Sequence, residues 1–209
     1  VVLKSENYTT YELIPLHDIK PLEMVFKHHH KNLSKMIDID GYLRKPLLVD
    51  STFNIVLDGS HRYVYLYERG YKLAPVIKVD YKDEGVRVGT HLKHRFEIDG
   101  DINISKDEVI VRGCNGVLYP PRTTRHFFPF EKYEMIIPLT DLKRGKGRNV
   151  SKYITNSTLE EEITHNEKYI NEIVEELESI KKYVTAQMDT ARYLQKQIDM
   201  MKEQCQRKE

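Results

Sequence analysis

Ile55-Val56-Leu57-Asp58-Gly59-Ser60-His61-Arg62-Tyr63 reads as a buried apolar strand that ends in a carboxylate, a glycine and an arginine. A strand of this kind delivers Asp58 to the rim of a fold. Gly59 lets backbone amides approach an anion, and the segment from Arg62 to Glu68 starts a helix whose positive end faces that anion. The same spelling also suits a tight turn in which Asp58 is only a local cap, so the motif alone is a weak signal.

A second basic motif stands late in the chain. Tyr119-Pro120-Pro121-Arg122-Thr123-Thr124-Arg125-His126 is followed by the apolar run Phe127-Phe128-Pro129-Phe130. Hydroxyls, a guanidinium and an imidazole in consecutive positions supply several hydrogen-bond donors to one oxyanion. Composition alone leaves a solvated turn after the proline pair equally open.

Four stretches, taken in order, resemble the ParB/sulfiredoxin-like fold: Leu13-Ile14-Pro15-Leu16 through Ile19-Lys20-Pro21-Leu22-Glu23, then Asp40 to Val49, then the Asp58 motif, then Gly70 to Val79. Within that superfamily the chain is most similar to the free L-serine kinases, which pair an Asp-Gly-x-His-Arg motif with a late Pro-x-Thr-Thr-Arg-His followed by Pro-Phe. The resemblance covers about residues 11 to 142, with the middle segment compressed to Tyr81 through Leu118. It implies a mixed α/β (α+β) domain over residues 1–148.

The resemblance also implies roles. Glu23, after the Lys20-Pro21 pair, matches the base that takes the proton of the substrate hydroxyl, an acceptor that an alkyl alcohol requires as it attacks phosphorus. Asp58 matches the aspartate beside the reacting phosphate, placed to hold Mg²⁺ or orient the hydroxyl. Gly59, Ser60, His61 and Arg62 match the cradle of the phosphoryl donor, ATP or ADP. Thr123, Thr124, Arg125 and His126 match a second clamp whose positive charge and donors offset charge in the loose transition state. The acceptor implied is free L-serine, or a related amino alcohol or polyol.

Composition agrees with a cytoplasmic protein that has one modest core: 40% of the 209 residues are apolar. No run approaches the ~18 apolar residues of a membrane helix, and the N-terminus lacks a basic-then-apolar signal pattern. The chain starts at Val1, as expected of a processed chain or a piece of a larger polypeptide. Cys114 and Cys205 lie far apart, which supports neither a disulfide framework nor a zinc site. Consecutive helix positions diverge by about 100°, so His28, His29 and His30 cannot all face one ion. Of 33 basic and 32 acidic residues, 8 and 12 lie in residues 157–209, leaving the preceding part near +5. That balance suits nucleotides and falls short of a DNA-clamping face, so nucleic acid is not the expected partner.

The tail carries the other strong pattern. Ser157-Thr158-Leu159-Glu160 spells a capping box, and no proline or glycine follows it. Ile163, Ile170, Leu177, Val184, Ala191, Ile198 and Cys205 form one heptad line. Asn166, Ile173, Ile180, Gln187, Leu194 and Met201 form the other. A narrow seam over six heptads predicts a coiled-coil helix within residues 149–209 and a homo-oligomer, dimer or trimer.

Elsewhere the pattern predicts strands at Tyr11 to Leu16, Pro46 to Asp50, Ile55 to Leu57 and Ala74 to Asp80, and helices at Pro21 to Ile37 and Arg62 to Arg69. Short strands with polar turns at Ile98 to Asp101 and Arg112 to Gly116 are expected over residues 97 to 118. A last strand is expected at Tyr133 to Leu142, and a basic, flexible linker at Lys143 to Arg148. Two other readings stay open: a nucleotide-responsive ParB-like DNA-associated module, against which stands the lack of a convincing helix-turn-helix, and a regulator that keeps the pocket without catalysis. Glu23 discriminates, since only the kinase needs a base there.

Overall fold

The computed structural model describes residues 10–90 and 104–206. Its centre is a four-stranded sheet in the order β1 (Glu12–Pro15), β5 (Leu73–Val79), β3 (Leu47–Asp50), β4 (Val56–Asp58). β3 and β5 run parallel, while β1 and β4 are antiparallel to their neighbours. The parallel pair needs a crossover. Helix α2 (Ser60–Glu68) supplies it and starts two residues before the sequence expectation.

All four residues of β3 are buried because the sheet is covered on both faces. Leu47, Val49, Val56, Ala74 and Val76 face a core shared with Tyr65 and Leu66 of α2 and with Ile37 of α1 (Lys27–Asp40). Leu48, Leu57, Ile77 and Val79 face a second core with Val109 and Phe128. The period-two alternation of the strands thus sorts each apolar run into two layers.

Three sequence expectations are corrected. The first helix starts at Lys27, not Pro21. Residues 20–25 are extended because their backbone pairs elsewhere, in bridges Lys20 to Ile55, Glu23 to Tyr119 and Val25 to Ile154. Residues 106–115 form helix α3 (Lys106–Asn115) rather than strands and turns. Ser105 caps it by accepting the Glu108 N–H at 3.1 Å, and the glycine read as a turn, Gly116, is its left-handed C-cap. The expected turn at Ile98 to Asp101 lies outside the described residues. The expected strand at Tyr133 to Leu142 shrinks to β8 (Ile137–Pro138), paired with β2 (Tyr42–Leu43), and a 3-10 turn over Leu139–Leu142. The remaining pair is β6 (Arg87–Gly89) with β7 (Arg125–Phe127).

The Lys143 to Arg148 segment does not run free. Lys143 C=O accepts from Lys72 N–H at 2.9 Å, Gly145 N–H donates to Gly70 at 2.8 Å, and Arg148 N–H donates to Glu68 at 3.1 Å. The approach is so close that a Cβ on Gly70, whose φ is +75°, would run into the Lys146 carbonyl and stand 2.9 Å from Gly147 N. Gly70→Ala is therefore expected to cost about 3 kcal/mol. Chemical denaturation measures the loss, and limited proteolysis should show new cleavage within residues 143–148.

Helix α4 (Leu159–Gln206) is continuous and starts from a capping box one residue later than its spelling suggested. Thr158 Oγ1 accepts from Glu161 N–H at 3.2 Å, and Glu161 accepts from Thr158 N–H at 2.7 Å. A compact unit ends at His165, and the helix from Asn166 onward forms a second one. On that second unit Ile170, Leu177, Val184, Leu194 and Ile198 are each about half exposed. Among the described residues, no helix is long and apolar enough to cross a membrane.

Candidate active site

The strand β4 and the helix α2 meet at Gly59, whose φ of +105° turns the chain. A Cβ there would stand 2.8 Å from both an Arg62 nitrogen and Leu47 Cδ2, so only glycine permits this packing. Arg62 folds back along its own turn, donating to Pro46 C=O at 2.9 Å and reaching Asp58 Oδ1 at 3.5 Å. Lys132 Nζ lies 3.0 Å from Asp58 Oδ2. A small pocket opens here, lined by Lys45, Pro46, Asp58, Arg62, Phe130 and Lys132 among others. Burial pushes the Asp58 carboxyl up, but the Arg62 and Lys132 charges outweigh it and hold the group below its ordinary value. Two cations, Arg62 and Lys132, close on Asp58. Lys45, 4.0 Å from Glu134, and Glu131 complete the rim, so the lining carries three basic and two acidic side chains, a mildly positive pocket suited to phosphate.

Glu23 sits on an extended backbone, not at an exposed helix start. Its Oε1 accepts from Thr124 N–H at 2.6 Å and from Thr124 Oγ1 at 2.7 Å. Burial raises its pKa, and the bonds from the Arg122 to Thr124 loop reverse that only in part. Arg122 itself takes a φ of +60°, which folds the loop so that its amides converge on the carboxylate. Glu23 is thus tied to Thr124, two residues before His126, the ring whose charged form the Asp58 carboxylate favours.

The imidazoles of His61 and His126 each hold a ring nitrogen away from solvent. His61 packs against His29, with ring centroids 4.4 Å apart, and its buried Nε2 has no hydrogen-bond partner among the described residues. Burial first, then the neighbouring His29, His30 and arginines, push it down to about 3. His126 Nε2 lies 3.0 Å from the Tyr81 hydroxyl, and burial pushes it down to about 4 against the pull of Asp58. Both rings are neutral near pH 7, so they offer hydrogen bonds and not charge. The charge comes instead from Arg62 and from Lys45 and Lys132, which the sequence reading passed over. Lys132 follows the Phe127 to Phe130 run after one residue, Glu131, and Lys45 stands two residues before the β3 strand. A cation within two residues of each apolar run was the available signal.

The structure brings Asp58, Gly59 and Arg62 together around the pocket, with Ser60 and His61 opening α2. Thr123 and Thr124 spend their hydroxyl donors inside the protein, on Pro120 C=O at 2.8 Å and on Glu23. Arg125 lies in β7, its guanidinium 5.8 Å from the Phe127 ring centroid. The three consecutive histidines diverge as the helical period requires: His28 to Glu162, His29 to His61 and His30 to Glu68.

No family model matches the chain. An ATP-dependent L-serine kinase from Staphylothermus marinus is 32% identical over 113 residues, which cover 50% of this chain and 44% of that protein. The chain therefore spans less than half the length of this curated relative. A free serine kinase solved in complex with AMP superimposes with a TM-score of 0.54 over 64% of this chain and 93% of its own, at 18% identity. The fold is that of the free serine kinases. SbnI with a C-terminal truncation, from Staphylococcus aureus, shares it at a TM-score of 0.53 and 14% identity, over 75% of this chain and 94% of its own. The free serine kinase fold here is the mixed α/β arrangement around β1-β5-β3-β4, with the Asp58 turn at the start of α2.

Proposed function

We propose that the chain is a phosphotransferase that moves the terminal phosphoryl group of ATP or ADP to the hydroxyl of free L-serine or a related amino alcohol or polyol. The observation that carries this reading is the half-buried Glu23 carboxylate, held by two short hydrogen bonds from Thr124 within the Thr123 to His126 motif. The similarity to an ATP-dependent L-serine kinase supports it. In the reaction, the substrate oxygen forms a bond to phosphorus as the bond to the nucleotide's bridging oxygen breaks, and Glu23 takes the hydroxyl proton. Arg62, Lys132 and the start of α2 hold the phosphates. Ser60 and His61 border the donor at the opening of α2, while Arg125 and His126 flank the transferred group.

Among the described residues, no group of three His, Cys, Asp or Glu is placed to hold a metal ion. Mg²⁺ would therefore take Asp58 as its protein ligand and complete its shell with phosphate oxygens and water, the usual way this ion is bound at phosphoryl-transfer sites. Held at Asp58, such an ion would supply neutralisation of the phosphate charge.

The test is ³¹P NMR of the protein with Mg²⁺, ATP or ADP, and a panel of serine, amino alcohols and polyols. A new phosphomonoester signal that Glu23→Gln abolishes supports the kinase and names its acceptor. Bound nucleotide with no product across the panel would leave a nucleotide-responsive module instead.

The exposed seam of α4 belongs to the same proposal. Its half-exposed apolar line at Ile170, Leu177, Val184 and Ile198 is covered in a parallel or antiparallel homo-oligomer. Leu177→Lys with Val184→Lys is expected to reduce the native mass seen by light scattering to that of the monomer.

A further inference from the structure

A groove of about 700 Å³ lies away from the Asp58 pocket and shares none of its lining residues. Its volume is within the range of small-molecule sites, about 300–1,000 Å³. Lys20, Arg148 and Lys152 line it together with Tyr63, Tyr67 and Tyr153, and among the described residues no carboxylate does. Among the described residues none of the three cations forms an ion pair. They are held by aromatic faces instead: Arg148 stands 4.8 Å from the Tyr67 ring centroid, Lys152 4.7 Å from that of Tyr153, and Lys20 5.7 Å from that of Phe53. Such contacts fix a cation's place without neutralising it.

The tyrosines are themselves locked. Tyr153 packs edge-on to Tyr67 at 5.3 Å and to Tyr63 at 6.0 Å. The result is a rigid aromatic wall with unneutralised positive charge at its rim, built by α2 and the pinned segment that follows Lys143. We infer that this groove is a second binding site, for a small anion carrying a flat ring. Tyr63 and Tyr153 are buried behind the wall, so the ring packs against half-buried Tyr67, and its carboxylate, phosphate or sulfonate meets Arg148, Lys152 and Lys20. Such a ligand would be held beside the same α2 helix whose first turn forms the proposed donor cradle.

Cys114 also lines the groove, its Sγ 3.8 Å from Lys20 Nζ, and provides a reporter. The probe is 8-anilinonaphthalene-1-sulfonate, a flat aromatic anion, titrated by fluorescence into the full chain carrying Cys205→Ser. Saturable binding is expected, weakened at least about 5-fold in Arg148→Gln/Lys152→Gln and kept in the charge-preserving Arg148→Lys/Lys152→Arg. The dye should also slow alkylation of Cys114 by iodoacetamide. Unchanged affinity in the neutral double variant, or an unprotected Cys114, would place the dye elsewhere and overturn the site. Displacement of the dye by ATP would overturn it as well, because the groove would then be part of the donor site.

Discussion

Glu23→Gln is expected to lower kcat by about 10²–10⁴-fold, the range a positioned general base supplies, while nucleotide affinity stays nearly constant. Glutamine keeps an acceptor oxygen for the Thr124 N–H and hydroxyl, which bond Glu23 at 2.6 and 2.7 Å, so the loop stays in place. Only the capacity to take the proton is lost. Burial lifts the Glu23 pKa, so the acid limb of the kcat/KM profile should lie above the ordinary carboxylate value. Thr124→Val removes one bond that favours the charged form and should move that limb further up. Full activity in Glu23→Gln would end the assignment of this residue as the base.

Acid should unfold the protein early. His61 and His126 are held neutral in the folded state, at about 3 and about 4, whereas an unfolded histidine titrates near 6.5. As pH falls below 6.5 the unfolded chain binds two protons that the native state refuses, and stability drops by up to about 2.7 kcal/mol per pH unit for the pair. Between about pH 7.5 and 4.5 the loss is roughly 5 kcal/mol, comparable to the whole stability of many small domains. Asp58 and Glu162, both held low, keep their charge across this window. Glu23 works in the opposite direction, since its raised pKa gives stability back as pH falls through it. Urea denaturation at stepped pH measures the slope, and His61→Asn should halve it. A flat profile across this range would mean that neither ring is buried neutral.

The periodicity of the sequence was enough for the central sheet. β3, β4 and β5 are short apolar runs bounded by turn residues, and each falls within a residue or two of its expected place. The Asp58-Gly59 corner was legible too, because a positive φ at a strand-to-helix turn needs glycine, and so was α4, whose heptad pattern is local and uninterrupted. Pro21 to Val25 was misread because proline at an early position suits a helix start. What decides its conformation is the pairing of Lys20, Glu23 and Val25 with Ile55, Tyr119 and Ile154, partners from about 35 to 129 positions away in sequence.

The start of α1 shows the same division. Phe26 offers no cap, and the N–H groups of His28 and His29 are satisfied by Glu162, a buried carboxylate more than 130 residues later. Lys143 to Arg148 looks like a linker by composition, yet the turn at Gly70 pins it. Local rules of propensity, period and turn chemistry act over a few residues, and they determined the elements and the motif residues Asp58, Gly59 and Arg62. The tertiary structure alone decided which way Glu23 faces, that Lys132 closes on Asp58, and that two histidines are neutral. Desolvation and long-range backbone pairing depend on what the rest of the chain brings alongside, and no window of sequence contains that.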